Sequence, residues 1–227
     1  MPDLVLTLIP LAIGSAVVPV QIIITILLLR TPGGRTAAVA WVAGMTVVRL
    51  AQGLVFGILL GARGGDAGGE VGGSGELVPV VLLVLAVMFY VVAARKLLKH
   101  PDDDAPSPKW MAMLDDVQPG KAFLLGVGLV AISAKFWVFT LGAIAAIGEA
   151  GLGMGGSVVT FLLFVVLAES IHLAAVGFAF AAPARADVAL TRFSALLERY
   201  NGPIVIALSL VFGTWFLVKA LTGLDVL

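Results

Sequence analysis

The chain has 227 residues, of which 60% are hydrophobic and 12% charged, whereas an ordinary soluble domain carries about 25% charged residues. This composition excludes an ordinary soluble domain and indicates a protein that crosses a membrane several times. The lack of cysteine excludes disulfides, thiolate metal sites and thiol-based electron transfer. The formal net charge of zero gives no general attraction to nucleic acid.

Six apolar segments follow one another along the chain, and each has about the 20 residues that a membrane-spanning helix needs. They are Leu4–Leu29, Ala37–Gly61, Leu77–Leu98, Ala122–Ile147, Ser157–Ala182 and Pro203–Thr222. We expect helices because lipid offers no hydrogen-bond partner to an open backbone. The sequence therefore predicts an all-α membrane protein, with residues 1–227 forming a single transmembrane domain of six transmembrane helices.

The connecting segments differ sharply in positive charge. With six spans, ten lysines and arginines lie on one side of the membrane and two, Arg63 and Lys219, on the other. Positive segments stay in the cytoplasm, so we expect a multi-pass protein of the inner (plasma) membrane with both termini outside. The segment Pro183–Asn201 mixes three arginines with apolar residues and is predicted to form a short amphipathic helix at the interface.

The two halves of the chain, about residues 1–98 and 119–227, share a weak pattern. Gly14-Ser15-(x)3-Pro19 in the first span is echoed by Gly128-(x)4-Ser133 in the fourth. Two inverted three-helix repeats would give this arrangement, and many secondary transporters with sites near the membrane midplane are built in that way.

Three charged residues, Arg49, Lys135 and Glu169, fall near the middle of three different spans. Each costs roughly 2.5–3.5 kcal/mol to insert at that depth, so it is expected to be paired or to serve transport. The helical face that carries Lys135 also carries Gly128 and Gly142, and small residues mark close helix contacts. We therefore expect Lys135 to point into the helix bundle, where it would bind substrate or form an ion pair.

Arg49 and Glu169 allow two interpretations. They could form a structural ion pair between the second and fifth spans, or Arg49 could bind an anionic group, which guanidinium does well. His172 lies one turn after Glu169 on the same helical face, and the two could exchange protons during transport. A metal site here would lack ligands, so none is predicted. His172 could equally make an ordinary hydrogen bond between helices.

The first span carries a polar stripe that includes Gln21 and Thr25. Gln21 is a candidate for substrate binding. Pro19 removes a helical hydrogen bond and is expected to kink the helix. The stripe could line a transport path, and a kink that serves packing alone is the alternative.

The segment from Lys109-Trp110 to Pro119-Gly120-Lys121-Ala122-Phe123 resembles the GAP family of the lysine exporter superfamily, also called sulfolipid-addressing or glycopeptidolipid-addressing proteins. The stretch Leu28-Leu29-Arg30-Thr31-Pro32-Gly33-Gly34-Arg35 agrees with it. The resemblance implies two inverted three-helix halves, a homodimer, and export of small molecules or envelope lipids, and such proteins are typical of actinobacteria. The family's fourth span carries an Asn-Pro-Lys-Asn motif. Here Ser133-Ala134-Lys135-Phe136 keeps the lysine without the proline, which removes the ground for expecting a helix break.

These observations predict a secondary transporter of the bacterial inner membrane that exports an envelope lipid or glycolipid, or a small anionic or amphiphilic solute. Its partners would be membrane lipids and the lipid or small-molecule substrate, and no cofactor is implied. Protons would be exchanged at Glu169 and His172. The alternative is a membrane scaffold of an envelope-lipid synthesis or export complex, with Asp102–Asp104 and Trp110 as its docking segment. No arrangement of catalytic residues suggests an enzyme.

Overall fold

A computed structural model describes residues 2–31, 33–64, 74–98 and 117–224, and it describes residues 2–3, 58–64, 74–81, 85, 134 and 135 by their backbone alone. Nearly all of this part of the chain is helical, which confirms the all-α prediction. The helices are α1 (Pro2–Ala16), α2 (Pro19–Arg30), α3 (Gly34–Gly64), α4 (Ser74–Leu98), α5 (Pro119–Ile132), α6 (Ala134–Glu149), α7 (Gly153–Ala168), α8 (Ser170–Ala181) and α9 (Pro183–Gly223).

Three of the predicted spans are pairs of helices that meet at a bend. The angle is 52° between α1 and α2, 69° between α5 and α6, and 62° between α7 and α8. Within the described ranges, α3 and α9 are long and apolar enough to cross a membrane alone, and counting each bent pair as one span gives up to five. Helix α4, which covers the predicted third span, is not among these five, so six spans and the inverted repeat stay predictions.

Two of the bends have different local causes. Pro19 begins α2, next to the bend, and has no backbone N–H to donate to the preceding turn. At the second bend Ser133 is extended, with φ −78° and ψ 106°. The indole Nε1 of Trp137 donates to the carbonyl oxygen of Ala131 at 2.8 Å, close to where the helix is interrupted. The fourth span is therefore broken without a proline, contrary to the expectation from the sequence.

Close packing of α3 against α5 forms the centre of the fold. A Cβ atom added at Gly44 would overlap the carbonyl oxygen of Phe123, and one added at Gly126 would overlap that of Trp41. The two backbones can approach this closely only because both positions are glycine. The surrounding core includes Leu28, Trp41, Met45, Val130 and Phe136.

The chain divides into two compact units. The first comprises Met1–Gly65 and Ser107–Glu198, and the second comprises Asp66–Pro106 and Arg199–Leu227. In the second unit, α4 packs on the last part of α9 through the aromatic rings of Phe89, Phe212 and Phe216. All the candidate site residues described below belong to the first unit.

The segment Pro183–Asn201 is helical, as predicted, but it is not a separate short helix. It continues without a break into the predicted sixth span, so that α9 runs over 41 residues with Pro203 inside it.

Candidate functional site: a buried charge pair beside three helix bends

Arg49 lies in the middle of α3 and forms an ion pair with Glu169. The guanidinium Nε donates to the carboxylate Oε1 at 2.8 Å, and the side chains are 0% and 1% exposed. The structure thus joins the two residues that the sequence proposed as partners. Taking two charges out of water costs several kcal/mol per ion in proteins, so this pair needs good geometry and further hydrogen bonds.

The guanidinium also contacts residues beside two of the bends. Its Nη1 donates to the hydroxyl of Ser15, which lies near the end of α1. Its central carbon is 5.7 Å from the ring centroid of Phe136, near the start of α6, a distance at which an aromatic face attracts a cation. Arg49 therefore contacts residues at the bends of the first and fourth spans at the same time.

Glu169 is itself the residue at the third bend. Its backbone, with φ −97° and ψ 1°, departs from helical geometry between α7 and α8. The backbone hydrogen bonds from Glu169 to Val165 and from Leu173 to Glu169 are kept at 3.0 and 2.9 Å. The carboxylate therefore belongs to the residue that precedes the first turn of α8, where the helix dipole favours negative charge. Nothing in the sequence signalled this bend.

His172 belongs to a second polar group next to the ion pair. Its Nδ1 is 2.9 Å from the hydroxyl of Thr25, which also accepts a hydrogen bond from the indole of Trp41 at 3.1 Å. The Thr25 hydroxyl is 2.9 Å from the carbonyl oxygen of Gln21. If its one proton goes to Gln21, Nδ1 of His172 must be the donor, and Nε2 of the neutral ring is then an acceptor. Thr25 thus decides the tautomer of His172.

Several buried polar atoms of the pair and of the neighbouring helices have no hydrogen-bond partner within the described residues. They are Nη2 of Arg49, Oε2 of Glu169, Nε2 of His172, Oγ1 of Thr140, and both amide atoms of Gln21 and of Gln52. Leaving a buried donor or acceptor unpaired costs about 1–3 kcal/mol per group. In an ion pair that served folding alone, we would expect every buried donor and acceptor to have a hydrogen-bond partner. The atoms without partners therefore indicate a site that can still bind a polar ligand.

The structure brings most of the predicted site residues into one region. Arg49, Glu169 and His172 are buried together, Gln21 lies one turn before Thr25, and Pro19 begins the same helix. Lys135 is the second residue of α6, and its side chain lies outside the described residues. The continuous face predicted from Gly128 to Gly142 is wrong, because the chain bends at Ser133 between them.

Sequence reasoning missed Ser15 and Trp41 as members of the site, and it did not predict the contact between Thr25 and His172. Thr25 was part of the polar stripe on the first span, four residues after Gln21, which was the available signal. Trp41 gave none, since an aromatic residue in an apolar span is most often a core residue. Asp102–Asp104 and Trp110, the proposed docking segment of the scaffold alternative, lie outside the described residues.

Apolar helices that bend around a buried ion pair define a class of protein, the helical membrane proteins with a polar centre. A model of the sulfolipid-1-addressing protein family, Sap, matches residues 8–222, and the chain belongs to this family. Searches of curated proteins and of solved structures gave no match. The resemblance to sulfolipid-addressing proteins is thereby confirmed, and it points to a membrane protein concerned with envelope lipids.

Proposed function

We propose that the protein is a secondary transporter of the bacterial inner membrane that exports an envelope lipid or glycolipid, or a small anionic or amphiphilic solute, with proton exchange at Glu169. The observation that carries the proposal is the Arg49–Glu169 pair, buried in contact with the bends of three spans. Transporters commonly place substrate and ion sites at discontinuous helices near the midplane. The proposal includes no enzymatic step.

Arg49 is the group that would bind the substrate's anionic head group. In the described conformation Nε is held by Glu169, whereas Nη2 has no partner there. A sulfate or phosphate can take two parallel hydrogen bonds from a guanidinium. An arriving anion would therefore compete with Glu169 for Arg49, and Lys135 would supply a second positive charge if its side chain reaches the same place.

Displacing Glu169 leaves an ionised carboxylate in apolar surroundings, which is costly unless it binds a proton or another cation. Anion binding at Arg49 and proton binding at Glu169 would therefore occur together. One anion would cross with one proton, and no net charge would be moved. The lipid's own concentration gradient would then drive export, since lipid made on the cytoplasmic side accumulates there.

His172 would pass the proton to and from Glu169. His172 lies one turn after Glu169 on α8. Thr25 orients its ring, and Nε2 has no partner within the described residues, so it can make a further hydrogen bond. The bends at Pro19, Ser133 and Glu169 would serve as hinges, because a few residues at helix ends can absorb the φ/ψ change of a domain motion.

The test is lipid movement in vesicles that contain the purified protein. A fluorescent phosphatidylglycerol serves as the anionic probe, and a membrane-impermeant quencher reports which leaflet holds it. We expect Glu169→Gln and Lys135→Met to lose most of the flux while still eluting as folded protein. Glu149→Gln, at the exposed end of α6, is the control and should transport normally.

A purely structural ion pair makes a different prediction. Removing both charges in Arg49→Gln/Glu169→Gln should then restore flux along with folding, whereas the transport proposal expects a folded and inactive protein. Normal flux in Glu169→Gln and in Lys135→Met would reject the transporter and favour the scaffold.

A further inference from the structure

A second site lies at the end of the first unit where two helix–helix turns meet. The turn from α2 to α3 carries Arg30 and Arg35, and the turn from α8 to α9 leads to Asp187. These residues line a concave site together with Leu29, Ala179, Pro183, Ala186 and Leu190. The Arg49–Glu169 pair contributes no residue to it.

The two arginines are available to a ligand. Arg30 contacts Asp187 at 3.6 Å, but the two side chains are 43% and 67% exposed. An ion pair with that exposure contributes about 0–1 kcal/mol, so a better anion can replace the carboxylate. Arg35 is exposed, and its central carbon lies over the ring of Phe180 at 5.6 Å from the centroid, so its guanidinium can donate hydrogen bonds to a ligand.

The helix ends at the site contribute little net potential. Helices α3 and α9 begin beside it, at Gly34 and Pro183, but α2 and α8 end beside it, at Arg30 and Ala181. Because a helix N-terminus carries about half a positive charge and a C-terminus about half a negative one, these ends offset one another. The positive charge of the site therefore comes from the two guanidinium groups, which outweigh the single carboxylate of Asp187.

The size and lining of the site indicate the kind of ligand. It is a small cavity of about 40 Å³ that is open to solvent, whereas pockets that enclose a whole drug-sized ligand have roughly 300–1,000 Å³. Most of the lining residues are apolar. This combination suits a lipid whose small charged head group lies in the site while its acyl chains lie along the neighbouring helix surfaces.

We propose that this site binds the sulfate- or phosphate-type head group of a membrane lipid through Arg30 and Arg35. The site is separate from the buried charge pair, and its existence does not depend on transport. Basic pockets between transmembrane helices on the cytoplasmic side are a known means of holding anionic lipids. The predicted topology places both turns on that side.

The experiment measures binding of a fluorescent short-chain phosphatidylglycerol to the detergent-solubilised full chain. We expect Arg30→Gln/Arg35→Gln to weaken binding about tenfold or more, since charge-assisted hydrogen bonds are lost. Asp187→Asn should strengthen it several-fold, because the competing carboxylate is removed. Arg192→Gln is the matched control, an exposed arginine on α9 outside the site, and should bind like the unchanged protein.

Two further arms separate the possible sources of the anion. Phosphatidylcholine of the same chain length should bind at least about tenfold more weakly than the anionic probe. Its head group has no net negative charge to attract the guanidinium groups. Inorganic phosphate should displace the probe only at far higher concentration. Displacement by phosphate at the probe's own concentration would show an anion site without lipid specificity. Unchanged binding in the double variant, or weaker binding in Asp187→Asn, would also overturn the proposal.

Discussion

At the scale of single residues, the buried pair of Arg49 and Glu169 is a poor device for stability alone. Replacing a buried ion pair by apolar residues of similar size is often neutral or stabilising. Here the pair also lies among several polar atoms without partners in the described part of the chain. The arrangement is better explained by a site whose polar groups acquire different partners at another stage of a cycle.

The coupling of the two charges can be measured as a double-variant cycle. We expect Arg49→Gln and Glu169→Gln each to lower the free energy of unfolding by about 3–5 kcal/mol, because each leaves an uncompensated buried charge. The double variant should lose much less than the sum of the two. Unfolding in mixed detergent micelles, followed by circular dichroism, provides the values. Additive losses would contradict the ion pair.

Thr25 offers a second test at this scale. Thr25→Val keeps the shape of the side chain but leaves the indole N–H of Trp41 and Nδ1 of His172 without their partner. We expect a loss of about 2–4 kcal/mol in the free energy of unfolding, since each unpaired buried group costs about 1–3 kcal/mol. Thr25→Ser retains the hydroxyl and should lose less than half as much. Equal losses in both variants would mean that the methyl group, and not the hydroxyl, matters.

The sequence singled out the charged members of the site more clearly than the neutral ones. Arg49 and Glu169 stand out because a charge inside an apolar span is rare and needs a partner. Ser15 and Thr25 do not stand out, because hydroxyl side chains are common at membrane helix contacts. Thr25 meets a histidine 147 positions away, and only the folded arrangement of α2 and α8 reveals that contact.

At the scale of helices, glycine decides how closely α3 and α5 pack. Gly126→Ala places a Cβ atom against the backbone of Trp41, so one helix must move away. Gly128→Ala, two residues later on the same helix, meets nothing within 4 Å and gains about 0.5–1 kcal/mol in helix propensity. We therefore expect a lower unfolding temperature in the first variant and an equal or higher one in the second. A similar decrease in both would show that the contact is not tight.

The bend between α5 and α6 can be measured directly, because the chain has no cysteine of its own. Spin labels on cysteines at the exposed positions Lys121 and Glu149 would report the distance between the ends of the fourth span. With a rise of 1.5 Å per residue, a straight helix gives about 42 Å and a helix bent by 69° about 35 Å. We expect the shorter distance, and a longer distance in Trp137→Phe, which removes the hydrogen bond to Ala131.

A single population near the longer distance in the unchanged chain would contradict the bend.

The sequence indicated only one of the three bends. That bend lies at Pro19, where the missing backbone N–H of proline interrupts the helical hydrogen bonds. The bend at Ser133 lies beside a local hydrogen bond from Trp137 to Ala131, and the bend at Glu169 beside a tertiary contact with the guanidinium of Arg49. A search for helix-breaking residues detects neither.

At the scale of the whole molecule, hydropathy and charge counts predicted a helical membrane protein because both depend on composition along the chain. Hydropathy and charge counts could not predict that α9 is one continuous helix. The charged residues before Asn201 and the apolar residues after Pro203 look like two elements. A proline in the first turn of a new helix looks the same in sequence as one inside a long helix.

The topology follows from the charge bias and can be tested by cysteine labelling. Single cysteines at Thr36 and Ala195 should react with an impermeant maleimide only after the cells are permeabilised, because their segments lie on the side that holds ten of the fourteen lysines and arginines. Cysteines at Glu149 and Thr222 should react in intact cells. Helix α4 is the span that is not among the five, and without its crossing Thr36 and Ala195 would lie on opposite sides of the membrane. Opposite labelling of Thr36 and Ala195 would therefore reject the six-span arrangement, and labelling of Thr222 from outside would support the placement of the C-terminus.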